Sequence, residues 1–206
     1  MKKLAWPMIG VLTCSCLVTS CSSLKVQSWT DPEFKGRDIG KTMVLGVNDS
    51  DAVRHKDESH FVSQLTALGL EAETNYSVFP KASKLTKEEV VQALKRMGAD
   101  SLIVTTVVSE KDKMRYDEPS TYHGRYGDFY GYYGWTHSYV HDRLYLSNYI
   151  EIHLETNLYD VESEKLVWSG QKIVTDDHTE DKNIKSVVHA VIRELVKEGM
   201  ISGTGK

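Results

Sequence analysis

The sequence predicts a single α/β domain in the order βαβαβ, long loop, β-hairpin, α, arranged in two or three layers. Apolar runs rich in β-branched residues alternate with helical patterns in its first half, which is typical of parallel strands joined by helices. A strictly alternating strand and its returning partner follow, and they predict an antiparallel hairpin. We therefore expect a mixed sheet over residues 42–201, interrupted by an insertion at residues 116–148.

The parallel half begins with a short apolar strand at residues 42–47, which suits the centre of a sheet. A helix is predicted over about 51–68, with Phe61, Leu65 and Leu68 on one face. A second strand is predicted at residues 71–79, ending at Pro80.

The second helix opens with a capping-box pattern, in which Thr86 caps and Glu89 reaches back, and it stops at Gly98. The run at 102–108 predicts the third strand. Right-handed crossovers make these three strands parallel, with the strand at 42–47 in the middle.

The antiparallel half contains a predicted half-buried strand at 149–159, because apolar and polar side chains alternate along it. Residues 160–164 form a turn, and 165–175 return as its partner, with Trp168 inside. The last helix is predicted at 183–201, from the apolar stripe of Val187, Val188, Val191, Ile192, Leu195 and Val196.

The N-terminus has the pattern of an export signal: Lys2 and Lys3 precede a mostly apolar stretch at 4–18. Val18-Thr19-Ser20-Cys21 resembles the bacterial lipobox. The resemblance implies that Cys21 carries the lipid, that residues 1–20 form a lipoprotein signal peptide, and that 21–41 form a lipidated tether and lead-in. A plain signal peptide followed by an incidental cysteine is the alternative.

Lipobox proteins are sorted by the residue after the lipidated cysteine, where Asp favours the inner membrane. Ser22 stands there. The resemblance thus implies a protein anchored by its lipid in the outer membrane, facing the periplasm, if the host has two membranes. Two or more acyl chains give stable anchoring.

Composition excludes several classes of function for the exported domain. All three cysteines, Cys14, Cys16 and Cys21, lie within or at the end of the signal, which excludes disulfides, cysteine–zinc clusters and thiol nucleophiles. Removing residues 1–20, with two lysines and no acid, takes the net charge from −4 to −6. That acidity argues against a nucleic-acid partner.

The insertion at 116–148 has an unusual composition, since nine of the 11 tyrosines lie between Tyr116 and Tyr149. Tyrosine and glycine in alternation suit a protein interface, and flat aromatic faces also suit stacking on a glycan such as peptidoglycan. The alternative is a low-complexity insertion that lies against the sheet without a ligand. The candidate binding residues are Tyr126, Phe129, Tyr130, Tyr132, Tyr133 and Trp135.

Metal and catalytic patterns are weak. His123, His137, His141 and Asp142 could supply ligands, but the Tyr, Gly and Ser around them do not favour the helical turn that would align them. The acidic run at 176–181 lacks the spacing of a calcium loop. No nucleophile elbow, phosphate-binding loop or zinc-protease motif occurs. We therefore expect no metal, no cofactor and no enzymatic activity.

One polar strand face could still serve an enzyme, because Glu151, His153 and Glu155 alternate along a single strand. The simpler interpretation is a polar face that lies under the insertion or in solvent.

Several motifs along the chain together resemble a family of bacterial lipoproteins that has no assigned function. They are the lipobox, Trp29-x-Asp31-Pro32, the VLGV strand at 44–47, GADSLIV at 98–104, ETNLYD at 155–160 and KLVWSG at 165–170. The order of elements is also similar, at the level of fold, to small domains of periplasmic assembly lipoproteins and to the N-terminal domain of the Tol-system propeller protein. The family itself implies no function, whereas the domains that are similar in fold bind protein partners. We therefore expect a non-catalytic accessory module of the cell envelope that contacts a protein partner through the insertion, with a glycan-binding or peptidoglycan-binding lipoprotein as the alternative.

Overall fold

The computed structural model describes residues 26–80, 84–109, 128–134, 151–175 and 180–202. They form one open six-stranded mixed sheet with helices on both faces. The strands are Gln27–Thr30 (β1), Thr42–Val47 (β2), Ala72–Thr74 (β3), Ser101–Ser109 (β4), Glu151–Asp160 (β5) and Leu166–Thr175 (β6). The helices are Asp51–Ala67 (α1), Asn75–Val78 (α2), Lys87–Met97 (α3), 129–134 (α4) and Glu180–Lys197 (α5).

The strand order β1-β6-β5-β4-β2-β3 confirms the predicted fold class. β2 lies between β3 and β4 and is parallel to both, as the crossover rule predicts. β4, β5 and β6 are antiparallel neighbours, so the hairpin extends the sheet as expected. Within the described ranges, no helix is both long enough and apolar enough to cross a bilayer.

The predicted helix ends are also present. The Thr86 hydroxyl accepts a hydrogen bond from the Glu89 N–H at 3.2 Å, and the Glu89 carboxylate accepts one from the Thr86 N–H at 2.7 Å. Gly98 ends α3 at φ 62°, a left-handed conformation that glycine adopts without a steric penalty.

The predicted second strand is largely wrong, because only its first part is extended. β3 has three residues, and the chain then turns into the short helix α2. The reason is the buried carboxylate of Glu58, which accepts hydrogen bonds from the N–H groups of Gly46 (3.0 Å) and Tyr76 (2.9 Å). This carboxylate satisfies an N–H group of β2 beyond the last β3 pair and another in the first turn of α2.

The sheet domain extends further towards the N-terminus than residue 42. β1 lies in the predicted lead-in and pairs antiparallel with β6 through the register Gln27↔Gln171. Phe34 and Ile39 from the same segment are buried in the core. The lead-in, whose sequence shows no apolar periodicity, thus supplies an edge strand and two core side chains.

The sheet has two covered faces, which we name by what covers them. The helix-pair face carries Val44, Ile103, Leu158 and Trp168 and packs against α1 and α5. The insertion face carries Met43, Leu45, Leu102, Val104 and Tyr159 and packs with residues of α3 and α4. β5 is therefore buried on both faces from Leu154 to Tyr159, and the prediction of a half-buried strand is wrong there.

A candidate binding surface built on helix α4

Helix α4 is the described part of the Tyr/Gly-rich insertion, and its aromatic side chains are divided between core and surface. Phe129, Tyr132 and Tyr133 are 2%, 0% and 5% exposed. The Phe129 and Tyr132 rings lie 6.3 Å and 6.2 Å from the Tyr159 ring, between centroids. Such contacts between aromatic rings add to the stabilisation from buried area.

Two hydrogen bonds fix the helix further. The Asp128 carboxylate accepts from the Gly131 N–H at 2.8 Å, which satisfies a donor in the first turn. The Tyr133 hydroxyl accepts from the backbone N–H of Leu85 at 3.0 Å, just before α3 begins. Burial raises the pKa of the Tyr133 hydroxyl, so it remains a neutral group at physiological pH.

Tyr130 occupies the outer side of α4. It is partly exposed, and its ring centroid lies 6.2 Å from that of Tyr133 and 6.4 Å from that of Phe129. Exposed neighbours on the same helix are Asp128 and Gly131. We call this area the Tyr130 surface.

The six candidate binding residues therefore have different positions. Three of them, Phe129, Tyr132 and Tyr133, are core side chains, so they can support a contact surface but cannot form one directly. Tyr130 is available in part to a partner. The two remaining candidates, Tyr126 and Trp135, and the lipidation site Cys21 lie outside the described residues.

Sequence reasoning missed the residues that hold α4. Tyr159 belongs to the polar row of the alternating strand, which the sequence predicts to lie under the insertion or in solvent, and Tyr159 does lie under α4 of the insertion. Its bulk and apolar ring were a signal that this row becomes core near the end of β5. Leu85 contributes a backbone donor, which no side-chain pattern reveals.

The polar residues of β5 on the insertion face form a closed network. Glu155 and Asn157 are both 0% exposed. The Glu155 carboxylate accepts from the Asn157 amide at 3.0 Å and from the Gln171 amide at 3.1 Å. Glu155 therefore does not face solvent, while the side chains of Glu151 and His153 lie outside the described part of the chain.

The helix-pair face holds a second buried polar group, around the carboxylate of Glu58. Its backbone partners Gly46 and Tyr76 lower the pKa of Glu58, as does the Arg54 guanidinium at 3.7 Å, but burial dominates and raises the pKa to about 7. Arg54 itself is 4% exposed and also pairs with Asp51 at 3.0 Å.

Asp57, next along α1, also has a raised pKa, at about 7. Burial is the main cause, and the adjacent Glu58 charge adds to it, whereas a hydrogen bond with Thr105 lowers the pKa. Two carboxyls in such proximity resist being charged together. Glu58 is engaged by backbone groups, which is the arrangement of a structural carboxylate.

Lys172 is a second buried cation of the same face and is 2% exposed. Its ammonium donates to the Ser186 carbonyl at 2.9 Å and to the Ser186 hydroxyl at 2.7 Å. Burial, together with the charge of Arg193, lowers the Lys172 pKa to about 8. The contact ties β6 to α5.

Among the described residues, no group of three or more His, Cys, Asp or Glu side chains could hold a metal ion. The candidate ligands His123, His137, His141 and Asp142 lie outside those ranges. Only the last two residues of the acidic run at 176–181 belong to a described element, the start of α5. The expectation that the chain binds no metal stays a prediction.

Comparison with known proteins gives similarity of fold at low sequence identity. No family model and no curated protein sequence matches the chain. Among solved structures, the PelC dodecamer from Paraburkholderia phytofirmans is 14% identical with a TM-score of 0.46, covering 83% of this chain and 96% of that one. Lipoprotein GNA1162 from Neisseria meningitidis is 12% identical with a TM-score of 0.40, covering 77% and 96%. Scores in this range carry no inference about function.

Proposed function

We propose that this protein is a lipid-anchored periplasmic accessory module of the cell envelope, without catalytic activity, that binds a protein partner through the Tyr130 surface. The observation that carries the proposal is the burial of Phe129, Tyr132 and Tyr133. These side chains hold one short helix of the insertion against the sheet, which gives its outer side a defined position.

The composition around this helix supports a protein interface. Tyr126 and Trp135 flank α4 in the sequence, and Tyr130 lies partly exposed within it. Tyrosine and tryptophan are enriched at interfaces because they bring a large apolar area and a polar tip at a low cost in side-chain entropy. A helix already fixed to a sheet also loses little conformational freedom on binding, which favours affinity.

The location is supported by the lipobox-like sequence that ends at Cys21. The non-catalytic role is supported by the surroundings of two buried carboxyls, Glu58 and Glu155. The carboxylate of Glu58 joins the backbones of β2 and α2 rather than facing an open cleft. Glu155 is likewise enclosed by amide donors.

The test is photo-cross-linking in cells, with a benzophenone amino acid replacing Tyr130. The matched control carries the same group at Val196, which is 39% exposed on α5, behind the other face of the sheet. We expect a discrete cross-linked protein from position 130 and not from position 196. Mass spectrometry of the adduct identifies the partner.

A second variant keeps residues 128–134, so that the core stays filled, and replaces 116–127 and 135–148 with Gly/Ser linkers. Loss of the adduct would assign part of the interface to the replaced segments. Equal adducts from positions 130 and 196, or none from position 130, would contradict the proposal. Co-sedimentation of the protein with isolated sacculi in that case would favour the glycan-binding alternative.

A further inference from the structure

The register of the sheet determines at which end the anchored N-terminus enters. β5 begins where β6 ends, through the pair Glu151↔Thr175, and β4 ends beside them at Ser109↔Ile152. We call this the insertion end, because residues 110–150 leave and rejoin the sheet there. The opposite end is the hairpin end, where residues 161–165 join β5 to β6.

β1 runs from the insertion end towards the hairpin end. It starts with Gln27 opposite Gln171 and finishes with Thr30 opposite Trp168. The chain that precedes it therefore enters from the side of Thr175. Four residues separate Gln171 from Thr175, which corresponds to about 13 Å of strand.

The tether is short compared with the sheet. Cys21 lies six residues before Gln27, so the connection spans at most about 20 Å when fully extended. If the tether runs towards the insertion end, it needs about 13 Å to reach the level of Thr175, so Cys21 can lie about 7 Å beyond the end of the sheet. In the other direction, the strand from Gln171 to Leu166 alone takes up about 17 Å, and the turn at 161–165 projects further. A tether that reversed direction would therefore use almost its whole length of about 20 Å to reach the hairpin end.

Helix α4 lies towards the hairpin end. Its partner Tyr159 is the penultimate residue of β5 and pairs with Leu102, seven residues before Ser109 along β4. That separation is about 23 Å. The Lys87 ammonium contacts the carboxylate of Glu164, in the hairpin turn, at 2.8 Å. This contact and the nearby charge of Asp128, just before α4, both raise the pKa of Lys87.

We infer that the insertion end faces the bilayer and that the Tyr130 surface is presented away from it, on the order of 20 Å beyond the membrane-proximal end of the sheet. This inference rests on the proposed function, because it assumes that Cys21 is lipidated. With this orientation, the partner of the Tyr130 surface is a protein domain in the aqueous periplasm. A partner segment embedded in the anchoring membrane would be out of reach of this surface.

The experiment measures the distance of two labelled sites from the bilayer by energy transfer. The lipidated protein is incorporated into phosphatidylethanolamine/phosphatidylglycerol vesicles that contain a headgroup-labelled acceptor lipid. A donor dye is attached to Asp49→Cys, exposed in the loop after β2, or to Glu162→Cys, exposed in the hairpin turn. Each label is unique, because the mature chain otherwise contains only the acylated Cys21.

We expect at least twofold higher transfer efficiency from position 49 than from position 162. Insertion of 20 Gly/Ser residues between Lys25 and Val26 should reduce that difference, since a long tether no longer orients the domain. Equal or reversed efficiencies with bound vesicles would overturn the orientation and leave the anchor intact. Failure of the purified protein to associate with vesicles would instead overturn the lipid anchor and, with it, the proposed function.

Discussion

The two faces of the sheet are covered by different means. On the helix-pair face, two long helices bring aliphatic side chains such as Leu65 and Val188 into the core cluster that also contains Trp168. On the insertion face, α3 is joined by six residues of a Tyr/Gly-rich segment, which bring Phe129 and Tyr132 onto Tyr159. Among the described residues, one face is therefore covered by two long helices, and the other by one shorter helix together with a few aromatic residues from an insertion.

The faces also differ in how many charged side chains they bury, since among the described residues the insertion face buries Glu155 alone. The helix-pair face contains Glu58, Arg54 and Lys172 at 4% exposure or less, each held by backbone or side-chain partners. These groups join elements: Glu58 joins β2 to α2, and Lys172 joins β6 to α5. The comparison thus assigns the charged side chains that join elements mainly to the helix-pair face, and the aromatic contacts of the insertion to the other face.

The largest expected effect comes from removing an aromatic core residue of α4. Phe129→Ala should destabilise the protein by about 3–5 kcal/mol, because it leaves a cavity between α4 and the sheet. Tyr130→Ala, one residue along the same helix, should cost less than about 1 kcal/mol, because that side chain is partly exposed. Urea denaturation monitored by circular dichroism measures both.

Similar losses in the two variants would contradict the division of α4 into a core side and a surface side. A small loss for Phe129→Ala would mean that the insertion is not part of the cooperative fold. In that case the Tyr130 surface would have no fixed position.

A smaller effect is expected on the helix-pair face from Gly170→Ala. A Cβ atom at this position would lie 2.7 Å from Cζ2 of Trp168 and 2.9 Å from a Val26 methyl carbon. We expect a loss of about 1–3 kcal/mol from overpacking. Gly134→Ala on α4 is the matched control, because in the described part of the chain no atom beyond its neighbours and its own helix backbone lies within 4 Å of an added Cβ, and alanine favours a helix.

Thermal unfolding of the two glycine variants tests this pair. Destabilisation by Gly134→Ala would show that α4 is packed on all sides. No change in Gly170→Ala would show that the Trp168 indole can move, and the helix-pair face would then be less rigid than its packing indicates.

Much of the scaffold could be predicted from the sequence, because its signals are local. The capping box at Thr86 and the apolar stripe of α5 each determine an element within one segment. β1 and α2 could not be predicted, because both depend on distant partners. β1 pairs with a strand about 140 residues later, and α2 begins where a Glu58 oxygen accepts its N–H groups.

The candidate site could be predicted only in part. Its aromatic composition was evident, but the division of α4 into buried Phe129 and partly exposed Tyr130 depends on Tyr159 and Leu85, which are remote in sequence. A helix of six residues that includes Gly131 and Gly134 is too short to show a helical period from which burial could be assigned.

The smallest expected effect concerns pH and the carboxyl pair on α1. Asp57 has a pKa of 3.8 ordinarily and about 7 in the fold, so the native state binds a proton that the unfolded state has already released between these values. The contribution of Asp57 to stability therefore falls as pH rises from about 4 to about 7 and is level above that.

Asp57→Asn keeps the acceptor for Thr105 but cannot ionise. Between about pH 4 and about pH 7, the free energy of unfolding of this variant should therefore fall by on the order of 1 kcal/mol less than that of the native chain. Asp49→Asn, exposed in the preceding loop, is the control and should retain the native slope. Urea midpoints measured at intervals between pH 4.5 and 7.5 give the three slopes. Parallel slopes for all three proteins would show that Asp57 titrates normally in the fold, and the buried charge of the helix-pair face would then reduce to the groups around Glu58 and Lys172.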